Sequence, residues 1–424
     1  MAETVPKRLE APPSLKEASW LQRPETMRVF AALSGEGVET RAVGGAVRNA
    51  LIGEAVHEID LATTALPETV MARARKSGLK AIPTGITHGT VTVVADGVPF
   101  EVTTLRRDVE TFGRHATVTF TDSWEEDARR RDFTLNALYA GQDGTVFDPL
   151  GGYADLVAGR VRFIGNAEER IKEDYLRILR FFRFNAYYGK GAFDPEGLRA
   201  AVRLRGGLER LSAERIAAEL KRLLVAPRAL RGIEAMFDYG LLPGLLGGVP
   251  RIERFKRLLA IETALKRAPD PMLRLSALAV FVEEDAERVA ERLRLSNAEQ
   301  AALALGAIRC EAAKFPGEIE ARRALYRLGP ASFPAYALIA WAECGADPED
   351  ATWRAALNLP ERWQAPAFPL RGADLAELGF EGPEIGATLR ELEAEWVTEG
   401  FSLSRADLLA RAKRVSRKSP KRDR

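Results

Sequence analysis

Val43-Gly44-Gly45-Ala46-Val47-Arg48-Asn49 is followed nine residues later by Glu58-Ile59-Asp60-Leu61-Ala62-Thr63-Thr64. Two glycines between a strand and a helix let backbone N–H groups approach a polyphosphate closely, and the helix start adds partial positive charge. Arg48, one turn in, can pair with phosphate. Glu58 and Asp60 stand at strand spacing, which points two carboxylates to one face. Two oxygen donors on one face are what Mg²⁺ seeks when it must also hold a nucleotide's phosphates. Taken singly, a Gly-Gly turn is ordinarily only a turn and an exposed Glu-x-Asp is ordinarily solvated. In this order the two together favour a phosphoryl- or nucleotidyl-transfer site.

Three further groups extend the chemistry. Glu101 lies in the otherwise β-branched and apolar FEVTT. It is a carboxylate beside the other two, as metal ligand or base for an attacking hydroxyl, or else a Glu on the solvent face of an edge strand. In Arg130-Arg131-Asp132-Phe133-Thr134-Leu135-Asn136, Arg131 could bind phosphate, while Asp132 and Asn136, four apart, could share a face and hydrogen-bond a ribose. Alone, that pattern is common on surfaces. In Glu173-Asp174-Tyr175-Leu176-Arg177-Ile178-Leu179-Arg180-Phe181-Phe182-Arg183, helical spacing places Glu173, Asp174 and Arg177 on one face, continued by Arg180 and Arg183. This reads either as an i,i+4 salt bridge on a solvated face or as an Asp–Arg pair presenting a donor and acceptor edge to a nucleobase.

The elements that must position these groups are legible in outline. Twelve of the 21 residues 84–104 are Val, Ile or Thr, and Asp96-Gly97 divides them into two alternating runs, a hairpin signal. Asp143-Gly144 signals a second hairpin, and helical patterns interrupt at about 46–53 and 67–77. Residues 1–23, with three prolines, read as a loose leader. Beyond about 165 the strand signals fade, and apolar positions recur at three-and-four spacing, so the C-terminal 260 or so residues read as all helix. Gly and Pro clusters near 226–228, 243–250, 268–271, 329–334 and 345–348 mark turns or subdomain joints.

The chain has 424 residues, 46% hydrophobic and 29% charged, the balance of a soluble globular protein of two to three domains. No apolar run is long enough for a membrane helix, and the N-terminus lacks a secretory pattern. Two cysteines, Cys310 and Cys344, exclude a disulfide framework and fit a reducing, cytoplasmic setting. Net charge is +2, yet residues 411–424 carry +7, leaving −5 for the rest. Such an arm could hold a phosphate backbone or simply be a solvated, disordered tail.

The chain resembles the class II tRNA nucleotidyltransferases, the CCA-adding enzymes, which share a family with bacterial poly(A) polymerases. VGGAVRN with EIDLATT looks like the first family motif and RRDFTLNALY like the second. DPLGGYADLVAGRVRFIG, KEDYLRILRFFRF and LSAERIAAELKRLL resemble the third to fifth, and RGADLAELGF with GPEIGATLRELEAEW the tail-domain segment. The resemblance implies an α/β polymerase-β-like nucleotidyltransferase head at 24–160. A helical neck at 161–227, a helical body at 228–345, a tRNA-binding helical tail at 346–410 and a basic disordered tail at 411–424 would follow. It implies that Gly45 and Arg48 contact the triphosphate, and that Glu58 and Asp60 hold Mg²⁺ in a two-metal site, with Glu101 beside them. Arg131, Asp132 and Asn136 would meet sugar and phosphates. Asp174 and Arg177 would template cytosine or adenine, Arg180 and Arg183 would support that face, and Glu173 would steer its neighbours. The tRNA 3′-OH would attack the α-phosphate of CTP or ATP and pyrophosphate would leave.

Two positions depart from the family's pattern: Glu58 stands where Asp is usual, and Asn49 where Asp is common. PTGITHGTVTVV resembles the CCA-adding rather than the poly(A) branch, and RRDVETFGRHATVTFT, between Leu105 and Asp122, the flexible loop of complete CCA enzymes. None of His57, His88 and His115 is followed by Asp, which excludes the extra phosphohydrolase domain of some relatives. The rival of another class is an RNA-binding protein that kept the fold without catalysis. The partners implied are tRNA, through its acceptor stem and 3′ end, and the two nucleotides; no protein partner is implied. Lys256, Arg257, Lys266, Arg267, Arg322 and Arg323 are candidate tRNA contacts, each equally a solvated charge.

Overall fold

A computed structural model describes residues 11–112, 115–308 and 316–418. The chain divides into two compact units, Met1–Gly244 and Leu245–Arg424. The first ten residues, Cys310 and the end of the basic arm, 419–424, lie outside the described residues.

The first unit is built on a seven-stranded sheet of order β3-β4-β5-β2-β1-β8-β9. Its strands are β1 (Thr40–Val43), β2 (Asp60–Thr63), β3 (Lys80–Gly85), β4 (Thr90–Ala95), β5 (Val98–Thr104), β8 (Tyr139–Ala140) and β9 (Val146–Phe147). Neighbours pair antiparallel except β2 and β5, which are parallel. Both hairpin signals hold. Asp96 (φ 50°) and Gly97 (φ 84°) supply the two positive φ angles that a tight turn between β4 and β5 requires, and Asp143-Gly144 lies between β8 and β9. Helix α1 (Pro24–Leu33) precedes the sheet; α2 (Gly45–Leu51) and α3 (Pro67–Lys76) fall where the helical patterns predict.

Two expectations for this region need correction. Residues 11–23 are not a loose leader: Trp20 and Leu21 are buried, and the Leu15 N–H donates to the Gly144 carbonyl (2.8 Å), because the apolar side chains of this stretch have core to cover. The segment read as a loop between Leu105 and Asp122 pairs as an antiparallel hairpin. It comprises β6 (Arg106–Phe112) and β7 (His115–Phe120), with a register shift between Asp108 and Glu110; Gly113 and Arg114 lie outside the described residues. Its alternation of Thr and Val suits a pleated ribbon.

After β9 every regular element among the described residues is helical. In the first unit α4 (Trp124–Arg129) precedes β8, and α5 (Gly152–Ala158), α6 (Ala167–Glu173), α7 (Leu176–Tyr188), α8 (Pro195–Arg203), α9 (Ala213–Leu224) and α10 (Ala229–Asp238) follow β9. α7 is fixed by aromatic packing: Phe181 stacks on Phe163 (5.5 Å between ring centres), which lies 4.8 Å from Phe133 of the RRDFTLN segment. Gly232 of α10 sits so close to α7 that a Cβ there would stand 3.3 Å from the Phe182 carbonyl oxygen. α10 therefore packs with the neck helices, within the Met1–Gly244 unit.

In the second unit one core gathers Phe333, Trp341, Trp353 and Leu359, with Trp341 and Trp353 stacked at 5.8 Å. That core crosses the body–tail boundary expected at 345/346. A separate core, Leu370 to Ala412, holds Trp396 and Leu408. The helix Arg405–Lys418 corrects the expectation of a disordered arm from 411: Leu408 and Ala412 continue an apolar stripe into it, so the chain stays helical through Lys418. Among the described residues no helix is long and apolar enough to cross a membrane.

Candidate active site

β2 begins at Asp60, which pairs with Glu101 of parallel β5 on one side and Val43 of β1 on the other. Partners in register on neighbouring strands present their side chains to the same face, so Asp60 and Glu101 stand side by side. Glu58 lies just before the strand, so its place is set by a non-strand segment and not by the expected two-residue pleat. Solvent reaches Asp60, yet protein crowds around it. That crowding, with the charges of Glu101 and Glu58, pushes its carboxyl up to about 6, against the opposing pull of Arg131. Asp60 and Glu101, adjacent carboxylates that repel one another, are oxygen donors of the kind a hard divalent cation takes, and its charge would relieve the repulsion. Among the described residues no three acidic, His or Cys side chains converge on one point at coordination distance.

Arg48 is buried one turn into α2, behind the left-handed Gly44 (φ 67°). Its guanidinium donates to Asn136 Oδ1, to Asn49 Oδ1 (3.0 and 3.2 Å) and to the Tyr188 hydroxyl (2.7 Å). Asn136 in turn donates to Asp132 Oδ1 (2.8 Å), and Asp132 Oδ2 accepts two bonds from Arg180 (2.8 and 2.5 Å). Burial alone would raise Asp132; Arg180, Asn136 and the Phe133 N–H outweigh it and hold the carboxyl at about 2. Asp132 and Asn136 do meet, but across a 3₁₀ turn (Thr134–Asn136) and not along an α-helical face.

Arg131 is held by Asp127 (Nη2 to Oδ2, 2.8 Å), whose Oδ2 also accepts from the Tyr139 hydroxyl (2.8 Å). Asp127 is fully buried; burial would raise its carboxyl, but Arg131 and Arg130 bring it down to about 2.

The expected continuous face from Glu173 to Arg183 is broken. α6 ends at Glu173, Asp174 is extended (φ −153°, ψ 108°), and α7 starts at Leu176. The cause is local: the Asp174 carboxylate accepts the Leu176 N–H (3.1 Å), a side-chain-to-backbone bond that competes with helix continuation. Asp174 and Arg177 are therefore not a mutual ion pair. Asp174 Oδ2 accepts from Arg215 of α9 (2.7 Å), while Arg177 donates to Glu173 and to the Arg170 carbonyl (2.7 Å). Arg183 pairs with buried Glu219 of α9. Arg180 and Arg183 do follow one another along α7, their guanidinium carbons 5.2 and 4.5 Å from the Phe184 ring centre.

Asp127, Arg170, Tyr188, Arg215 and Glu219 join this constellation without having been singled out by sequence. Arg215 and Glu219 sit in LSAERIAAELKRLL, where a polar pair at i,i+4 on an apolar helix was the available signal. Tyr188 carried none. Of the candidate tRNA contacts in the second unit, Arg323 binds the Val397 carbonyl (3.0 Å) and that of Thr398, and Arg322 pairs with Glu318 (2.9 Å).

A mixed sheet bearing clustered carboxylates, beside arginines fixed by a polar network, is a nucleotidyltransferase architecture. The family model described as the poly A polymerase head domain matches residues 40–162, and that described as a probable RNA and SrmB-binding site of polymerase A matches 192–255. CCA tRNA nucleotidyltransferase 1, mitochondrial, of Mus musculus is 35% identical over 424 aligned residues, covering 93% of this chain and 93% of its own. The human protein of the same name is 36% identical, covering 90% and 88%. The crystal structure of the Bacillus stearothermophilus CCA-adding enzyme in complex with CTP superposes with a TM-score of 0.71 at 29% identity, over 93% of this chain and 98% of that one. The chain belongs to the CCA tRNA nucleotidyltransferase family. Nucleotidyltransferases of this family generally use divalent metals.

Proposed function

We propose that this protein adds C, C and A to tRNA 3′ ends from CTP and ATP without a nucleic-acid template, releasing pyrophosphate. The observation that carries the reading is the Asp60–Glu101 register with Glu58 close by, an acidic cluster on the same sheet whose β1–α2 turn leads to Arg48. Glu58 and Asp60 would hold the metal, with Glu101 as the third carboxylate. Bound there, a pair of Mg²⁺ ions would neutralise charge on the triphosphate and favour attack by the tRNA 3′-hydroxyl at the α-phosphorus.

The chain's own groups do the rest. Gly45 and Arg48 seat the triphosphate. Arg131, steadied by Asp127, faces the phosphates, while Asp132 and Asn136 meet the sugar and fix Arg48 and Arg180. Asp174 and Arg177 read the base edge once nucleotide binding draws them from Arg215 and Glu173, and Arg180 and Arg183 back that face. Asn49 accepts from Arg48 as an Asp would, so the departure at this position keeps the hydrogen bond and drops the charge. A reducing, cytoplasmic setting is proposed from the cysteine usage. Extension of tRNA lacking its last three nucleotides, with each nucleotide alone and both together, tests the reading.

A further inference from the structure

Arg48 is buried, yet none of its hydrogen-bond partners among the described residues is a carboxylate: Asn136, Asn49 and the Tyr188 hydroxyl are all neutral. The nearby acid, Asp132, spends Oδ2 on Arg180. A buried guanidinium is costly without compensation, and burial weakens its hold on the proton. An aromatic face supplies part of the compensation: the Arg48 Cζ lies 4.2 Å from the centre of the Tyr188 ring, whose hydroxyl also donates to Asn49 Oδ1 (3.2 Å). The arrangement leaves Arg48 without a carboxylate among its hydrogen-bond partners while fixing its direction.

Tyr188 closes α7, the helix that begins beside Asp174 and carries Arg177 in its first turn and Arg180 in its middle. One 13-residue helix thus links the base-reading end to the arginine assigned to the triphosphate, over roughly 18 Å at 1.5 Å per residue. We propose that Tyr188 is a positioning residue for phosphate recognition, setting Arg48 from the far end of α7. The inference rests on the assignment of Arg48 to the triphosphate made above.

The test compares wild type with Tyr188→Phe, which keeps the ring and loses the hydroxyl, and Tyr188→Leu, which loses both. Binding of CTP, of ATP and of inorganic tripolyphosphate is measured directly, alongside KM for tRNA and the unfolding temperature. Tyr188→Phe is expected to weaken all three phosphate ligands by a common factor of roughly three- to tenfold, and Tyr188→Leu by more. KM for tRNA and discrimination of CTP from UTP stay unchanged. Unaltered tripolyphosphate binding in Tyr188→Phe, or a loss confined to one nucleotide, would overturn the proposal, and Phe alone decides should Leu fail to fold. A wild type that binds the ligands but does not extend tRNA would sink the CCA-adding reading, while a shift in tripolyphosphate binding would still support the role of Tyr188.

Discussion

Asp60 and Glu101 occupy paired positions on the only parallel strand pair of the described sheet, so two carboxylates stand side by side with no basic residue between them in the register. Glu58 adds a third negative charge, and burial together with these two neighbours pushes the Asp60 carboxyl up to about 6. Like charges directly opposite one another are destabilising, so this arrangement costs the fold stability.

Removing the Glu101 charge should therefore separate stability from activity. In chelator-treated protein at pH 7, Glu101→Gln is expected to raise the unfolding temperature, because Asp60 is ionised there and loses a repulsive neighbour. The same variant should incorporate nucleotide more slowly. A lower unfolding temperature would mean that Glu101 is held by favourable contacts instead.

Asp60→Ala should reduce incorporation of both CTP and ATP by at least about a hundredfold, a typical loss for a group that stabilises transition-state charge, with tRNA binding retained in a gel-shift assay. Glu58→Asp should give equal or higher turnover. A large loss in that variant would mean that the segment before β2 is built around the longer side chain.

Asp174 is paired with Arg215 and Arg177 with Glu173, and under the proposed reading both leave these partners to meet the base. Asp174→Ala or Arg177→Ala should admit UTP or GTP while leaving tripolyphosphate binding near wild type. Full exclusion of UTP and GTP in both variants would remove the template role.

Asp127 and Asp132 should dominate acid sensitivity. Both are buried and sit at about 2, below the ordinary carboxylate value. Their stabilisation is present above pH 4 and is lost as pH falls through about 2, roughly 2 kcal/mol for each group. Asp127→Asn should be less stable at pH 7, and its stability should fall less between pH 4 and pH 2 in denaturant titrations. An unchanged pH dependence would contradict the Arg130–Asp127–Arg131 assignment.

Local chemistry was readable from the chain, and long-range pairing was not. Asp96-Gly97 announces its hairpin because the turn type needs those residues, and the glycine pair announces the turn from β1 into α2 for the same kind of reason. The spacing of Glu173, Asp174 and Arg177 suggested one helical face; it failed because Asp174 bonds the backbone of the next helix instead of continuing the last. Arg215 reaches Asp174 across 41 positions and Tyr188 reaches Arg48 across 140, distances over which no periodicity carries information. The arm beyond 411 looked disordered by charge alone, yet Leu408 and Ala412 anchor the helix that carries it as far as Lys418.

The central claim is tested most directly by single-nucleotide-resolution sizing of products from tRNA ending at the discriminator base, incubated with the purified protein, Mg²⁺, CTP and ATP. Addition of two C residues from CTP, then one A when ATP is present, and no further growth is the expected result. A long A ladder would place the activity with poly(A) synthesis, and tRNA that binds without any extension would contradict catalysis altogether.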